Sequence, residues 1–341
     1  MSNLNAKNRQ MKPFVPNSKI VFSLPLGGKV RRLIVALVGQ ITVTDPGAGA
    51  KGTVSGEGMA NLIQRLYVIA TPSARSRYAG GKIVDLGPRG ILRSAVVNRS
   101  GKWIADLNGV TLSAGAAGVY SGIYFPFPIY FADPCQRNSL ATALNLDVDA
   151  STGLPTYASV QVEIDTGSLA SCFPGNTMTV DYSQLQVQII DDRVAVPGDT
   201  ATIFQESHSV LIGATNRRML DEAMPQDGSF MSWLILGEQS AAYTLSDGLL
   251  NRAVISGPTL DYDKYAADIK EGDFADEWFD PSLTATGMYF IDFTDGSVQA
   301  NTVPAGGLQT YFDVNSVSGA NLDDLLIVTR RIFAPTPAAS K

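Results

Sequence analysis

Histidine, cysteine and charge are all scarce in this chain. Of its 341 residues one is histidine, His208, and two are cysteine, Cys135 and Cys172. A single histidine excludes a multi-histidine metal site, and any histidine-based triad would have to be built on His208. Two isolated cysteines are too few for a disulfide scaffold or a zinc ribbon and fit a reduced, cytoplasmic origin. Residues 1–18 contain no apolar core of a secretory signal. The longest apolar stretch, Leu33 to Val38, falls far short of the ~20 residues that cross a bilayer. Charged residues make up only 17% of the chain against 45% hydrophobic, the composition of a globular protein with a large core and a rather uncharged surface.

The scarce charge is unevenly spread. Residues 1–100 hold 15 Lys/Arg and three acids (Asp45, Glu57, Asp85), a balance of +12, while the remainder carries −18 within a net −6. Such a split points to electrically distinct parts, one of which meets anionic lipid or nucleic acid, or to halves that neutralise each other across internal or subunit contacts.

What is abundant is period-2 alternation. Val160, Val162 and Ile164 alternate with Gln161, Glu163 and Asp165, and Leu185, Val187 and Ile189 with Gln186 and Gln188. Ile20, Phe22 and Leu24 open the series, and residues 30–44 are apolar on both faces. With 32 Gly and 18 Pro between such runs, the pattern predicts an all-β protein of many short strands. Helices are expected only as loop decoration. One is expected around Tyr262, Tyr265, Ala266 and Ile269, after Pro258 and before Gly272. Others are expected at 218–224 (RMLDEAM) and near 138–144.

The pattern occurs twice. IYFAD at 129–133 is followed by VQVEID (160–165) and LQVQII (185–190); MYFID at 288–292 is followed by LQTYFDV (308–314) and LLIVTR (325–330). Matched order in three elements predicts duplicated sandwiches joined near Val196–Thr200. The expected divisions are an N-terminal arm (1–18), a first sandwich (19–195), a second (196–335) and a tail (336–341).

The search for chemistry yields little. Asp191-Asp192, Asp276-Glu277 and Asp323-Asp324 are carboxylate pairs, expected to be mostly solvated loop charges, since neighbours on a strand point to opposite faces. Asp147, Asp149, Ser151 and Gly153 have the rhythm of a calcium loop, but Thr152 and Ala158 stand where an EF-hand needs Gly and Glu; only a looser structural Ca²⁺ site is left open. Leu26-Gly27-Gly28-Lys29 and Ala79-Gly80-Gly81-Lys82 read as β-turns. Lys7, Arg9 and Lys12, with no acid among them and with Leu4 and Met11 at helix-compatible spacing, form a basic arm suited to anionic lipid or nucleic acid, or an ordinary frayed terminus. No catalytic or cofactor residues are expected.

SLPLGGKVRRLIVAL (23–37), ANLIQRLYVIA (60–70) and the two strands ending in Asp, each followed by two closing strands, together resemble the double jelly-roll major capsid proteins of tailless icosahedral viruses, especially membrane-containing bacteriophages of tectivirus and corticovirus type. The resemblance implies two tandem eight-stranded jelly-roll β-sandwiches with a few short loop helices. It also implies a homotrimer forming a pseudo-hexameric capsomer, and a virion shell built with other capsid proteins. The arm at Lys7, Arg9 and Lys12 would face the interior, towards membrane lipid or packaged genome. The alternatives are a β-sandwich carbohydrate-binding or adhesion protein, with Trp103, Trp233 or Trp278 stacking on sugar, a sandwich hydrolase, and a minor or vertex capsid protein.

Overall fold

The computed structural model describes residues 6–45, 62–74, 81–87, 90, 118–132, 142–149, 151–168, 179–194, 200–212, 217–220, 224–239, 244–270, 286–293, 303–315 and 323–333. These hold twenty strands and one short helical turn. They form two compact units that part between Ile203 and Phe204. Cys135, Cys172, Trp103, Trp278, Asp276-Glu277 and most of the expected joint lie outside the described residues.

In the first unit β1 (Ala6–Pro13), β10 (Leu185–Val194), β3 (Lys29–Asp45) and β6 (Gly118–Tyr130) pair in that order. Short β7 (Leu144–Asn145) and β9 (Thr179–Asp181) add to β3. The second sheet runs β5 (Gly81–Leu86), β4 (Ile63–Pro72), β8 (Tyr157–Thr166), β2 (Lys19–Leu24). Its alternation is the one the sequence shows: Val160, Val162 and Ile164 are buried while their neighbours are not. Leu33, Val35 and Leu37 of β3 and Phe125, Phe127 and Ile129 of β6 complete the core. At Gly39, β3 takes a φ of +130°, and an added Cβ would lie 2.0 Å from the Gln184 carbonyl oxygen, so only glycine fits this bend.

The second unit repeats the plan. β11 (Thr202–Ile212), β20 (Asp323–Phe333), β13 (Ser229–Gln239) and β17 (Met288–Asp292) pair in the order of β1, β10, β3 and β6. β12 (Arg217–Leu220), β19 (Gln309–Val314), β15 (Leu250–Ser256) and β16 (Asp261–Tyr265) pair in the order of β2, β8, β4 and β5. Even short β18 (Val303–Pro304) sits at the start of β13 as β7 does on β3, while β14 (Thr244–Leu245) pairs at the far end of β13. The echo in the sequence is therefore a duplication of the pairing diagram. In it β1 is the counterpart of β11: residues 6–13 are a paired strand of the first sandwich.

Two expected helices are strand in part. Asp261–Tyr265 pairs with β15 and alternates in exposure, and the helical turn begins only at Ala266. Arg217–Leu220 pairs with β19. In both, cross-strand hydrogen bonding outweighed a short apolar spacing that fits either period. The carboxylate pairs are corrected too. Asp191 and Asp192 are buried near the end of β10, and Asp323 is buried at the start of β20.

Candidate assembly surface

Among the described residues no group of three His, Cys, Asp or Glu could hold a metal ion. The calcium-like loop is a hairpin turn, bridged between Val148 and Pro155. The Asp149 carboxylate accepts from the backbone N–H of Ser151 (2.7 Å) and Thr152 (3.2 Å) and from the Ser151 hydroxyl, so it serves the turn itself. His208 is half-buried within β11. Trp233, a candidate for stacking on sugar, is wholly buried in the second core, edge-on to Phe230 and Phe293.

Of the expected basic arm, Lys7 pairs through its backbone with Asp192. Arg9 Nε donates to Gln188 Oε1 at 2.8 Å. Lys12 donates to the carbonyl of Val21 and lies over the Phe22 ring, and Gln10 Nε2 donates to the Ser23 carbonyl at 2.8 Å. Val21 and Ser23 are on the open side of β2, so two β1 side chains cap an edge that would otherwise offer free carbonyls. Phe14, buried and tilted against Tyr182, pins the end of β1.

The β6 edge of the first sheet is blunted differently. Phe131 donates its N–H to Arg31 across the ladder, so odd-numbered residues of β6 bond β3 and even-numbered ones point away. Pro126 and Pro128 occupy that outward series and have no N–H to offer. Strand addition here finds two missing donors in succession.

A buried arginine recurs in both units, a feature invisible to the search for motifs. Arg193 Nε donates to Asp191 Oδ2 at 3.0 Å, and Nη1 to the carbonyls of Pro25 (2.6 Å) and Gly27 (2.8 Å). Arg331 reaches Asp227 and Glu206 Oε1 (2.8 Å). Each arginine sits late on the closing strand, beside a bulge, and grips the turn entering the third strand. Those turns carry Gly28 and Gly228, at φ of +72° and +73°. Asp192 is held separately by Arg31 and Arg32, both at 3.1 Å.

The outer faces of the sheets differ in kind. On the β5-β4-β8-β2 face, Lys19 meets Glu163 at 2.7 Å, Arg65 and Lys82 meet Asp85, and Tyr67 lies beneath Lys82. The Glu163 hydrogen bond raises the Lys19 pKa above its ordinary value. The β1-β10-β3-β6 face is apolar in its middle. Across it run the rows Arg9–Ile190–Ile34–Pro128, Met11–Gln188–Ala36–Pro126 and Pro13–Gln186–Val38–Tyr124. Tyr124 is 57% and Met11 44% exposed, Ile34, Val38 and Ile190 are partly buried, and Ala36 and Gln188 between them are buried. The corresponding face of the second unit is covered: Leu234, Leu236, Val328, Leu326, Phe290 and Met288 all lie at 9% exposure or less. On the β12-β19-β15-β16 face, Arg252 is shared by Asp263 and Asp313, and Asp261 and Tyr265 lie beside them on β16. The hydrogen bond to Asp263 raises the Arg252 pKa.

No protein-family model matches the chain, and no curated protein is similar to it in sequence. Solved structures are. The STIV MCP superposes with a TM-score of 0.68 at 11% identity, covering 100% of both chains. The major capsid protein P2 from Bacteriophage PM2 gives 0.57 at 9%, covering 96% of this chain and 98% of that one. A chain of the PBCV-1 virus capsid gives 0.62 at 11%, covering 97% and 94%. So little identity over such full coverage means that what is shared is the backbone plan, and with its eightfold pairing order repeated the chain has the double jelly-roll fold.

Proposed function

We propose that this chain is a major capsid protein, a structural rather than catalytic building block that trimerises into pseudo-hexameric capsomers and tiles an icosahedral shell. The observation that carries the reading is the duplicated pairing diagram, matched end to end by the STIV MCP. Two similar units per chain give six lobes in a trimer, the geometry that fills a hexagonal lattice. The composition agrees: 17% charged residues leaves wide surface free for contact with neighbours. Before assembly the protein resides in the host cytoplasm, and afterwards in the virion. The N-terminal end, with Lys7, Arg9 and Lys12, is placed towards the interior, where many weak basic contacts to lipid or genome would add up over a shell.

Electron microscopy and native mass measurement of the purified protein test the reading. A stable trimer with a hexagonal outline is expected. A monomer at all concentrations, or one that binds glycans on an array, would overturn it. Salt-dependent flotation with anionic vesicles tests the inward-facing terminus.

A further inference from the structure

Around the two buried arginines the pairing diagrams of the units align residue for residue. Gly28 matches Gly228, Arg193 matches Arg331, Asp191 matches Thr329 and Leu33 matches Trp233. Even the bulge coincides, skipping Arg31 in one ladder and Met231 in the other. In the first unit Asp191 completes the arginine: its carboxylate accepts from Arg193 Nε at 3.0 Å and from the backbone N–H of Asn8 at 3.0 Å. In the second unit that acid is a threonine. The negative charge has moved to the turn, where Asp227 stands in the place of Gly27 and its carbonyl accepts from Arg331 Nη1 at 2.9 Å.

The exchange strands three polar atoms. Arg331 Nε, Thr329 Oγ1 and Trp233 Nε1 are buried, and none makes a hydrogen bond among the described residues. Thr329 and Trp233 are wholly inaccessible and Arg331 nearly so. Thr329 pairs directly with Trp233 across the ladder and stands two residues before Arg331, so the three side chains project to one side of the sheet. That side is the core, to which Trp233 belongs with Phe230 and Ile235. A hydroxyl oxygen sits one bond nearer the backbone than a carboxylate oxygen. The oxygen that meets Arg193 in the first unit is therefore drawn back from Arg331 in the second.

Buried polar groups cost free energy unless a partner is supplied. We propose that the second roll encloses a single water molecule at the position of the Asp191 carboxylate in the first. The water accepts from Arg331 Nε and Trp233 Nε1 and donates to Thr329 Oγ1. About three hydrogen bonds is the ordinary complement of a buried water. The two N–H donors alone would also suit a small anion, but the charges decide against one. Glu206 and Asp227 already set two negative charges against the one positive charge of Arg331, so an anion is repelled where a neutral molecule is not.

The chain has three tryptophans, so indole ¹⁵N labelling of the full-length protein gives three signals, and Trp233→Phe assigns one of them. The Trp233 indole N–H is expected to resist deuterium exchange yet to show magnetisation transfer from a bound water. Thr329→Asp, which restores the carboxylate of the first roll, is expected to abolish that transfer. Thr329→Val reports through urea unfolding and keeps the test open should the aspartate variant fail to fold. With the water in place, losing its acceptor lowers the midpoint; at a dry site the same change removes an unpartnered hydroxyl and raises it. No transfer from water in the wild type, transfer that survives in a folded Thr329→Asp, or a Thr329→Val midpoint that is raised or unchanged overturns the proposal. So does an anomalous peak at this position in bromide-soaked crystals, which would make the occupant an anion. None of these readouts depends on how copies assemble, so the shell reading stands or falls separately.

Discussion

At the scale of single residues, the two buried arginines are the most informative pair. Arg193 and Asp191 are both nearly inaccessible, so removing the cation strands a carboxylate in the core. Arg193→Ala is expected to cost about 3–5 kcal/mol in denaturant unfolding. Arg331→Ala is expected to cost less, because its partners Asp227 and Glu206 remain 70% and 30% exposed and can rehydrate. Equal losses would contradict this account. Tyr289 offers a pH test. Its hydroxyl donates to the Asp247 carbonyl at 2.9 Å, and burial, then the Asp247 charge, raises its pKa from the ordinary 10.0. The neutral phenol therefore stabilises the fold fully below pH 10, and the contribution is lost as pH climbs towards the elevated folded value. Wild type should exceed Tyr289→Phe by about 1 kcal/mol at neutral pH, with the gap closing above pH 10 in urea melts.

At the scale of elements, the prolines of β6 are expected to act as guards. Replacing Pro126 and Pro128 by Thr restores two outward N–H groups. The double variant should keep its circular dichroism spectrum yet scatter light and bind amyloid dye on storage; unchanged colloidal behaviour would deny the prolines that role. How well elements could be read from sequence depended on how local their cause was. β2 and β8 were plain from alternation, because one face of each is buried and the other wetter; β10 alternates in sequence too, yet Gln188, on the face expected to be wet, is buried. The both-sided apolarity of β3 was plain as well. Tyr262, Tyr265, Ala266 and Ile269 fit a helix as well as a strand end, and only the partner β15, absent from any local window, decides between them. Asp191 and Asp192 do point to opposite faces, as adjacency dictates. Their burial follows from Arg193 on one side and from Arg31 and Arg32, 160 residues away, on the other. The N-terminal strand failed to announce itself for the same reason: its partner lies at 186–193.

At the scale of the whole molecule, oxidative footprinting should separate buried from open sheet faces on assembly. If the copies assemble as proposed, Met11 and Tyr124, on the apolar face of the first unit, are expected to lose labelling, while Tyr67, among the ion pairs of the other face, keeps its rate. Protection of Tyr67 with continued labelling of Tyr124 would deny the apolar face that role. The candidate surface was half legible in the sequence. The charge asymmetry and the apolar run of β3 were visible, but which residues share a face required the register of four strands drawn from residues 6–194.

The order β1-β10-β3 has a consequence for how the protein is made. In each roll the last strand synthesised lies between the first and the third, so neither roll can close while its tail is still inside the ribosome. Translation at ~5–20 residues per second imposes a wait of roughly 10–40 s between the emergence of β1 and the arrival of β10. Nascent chains stalled before residue 185 has emerged should be digested readily, and those stalled after 203 has cleared the exit tunnel should resist. During that interval the open strands of the first roll depend on their own blunted edges, and on chaperones, to stay apart from those of neighbouring chains.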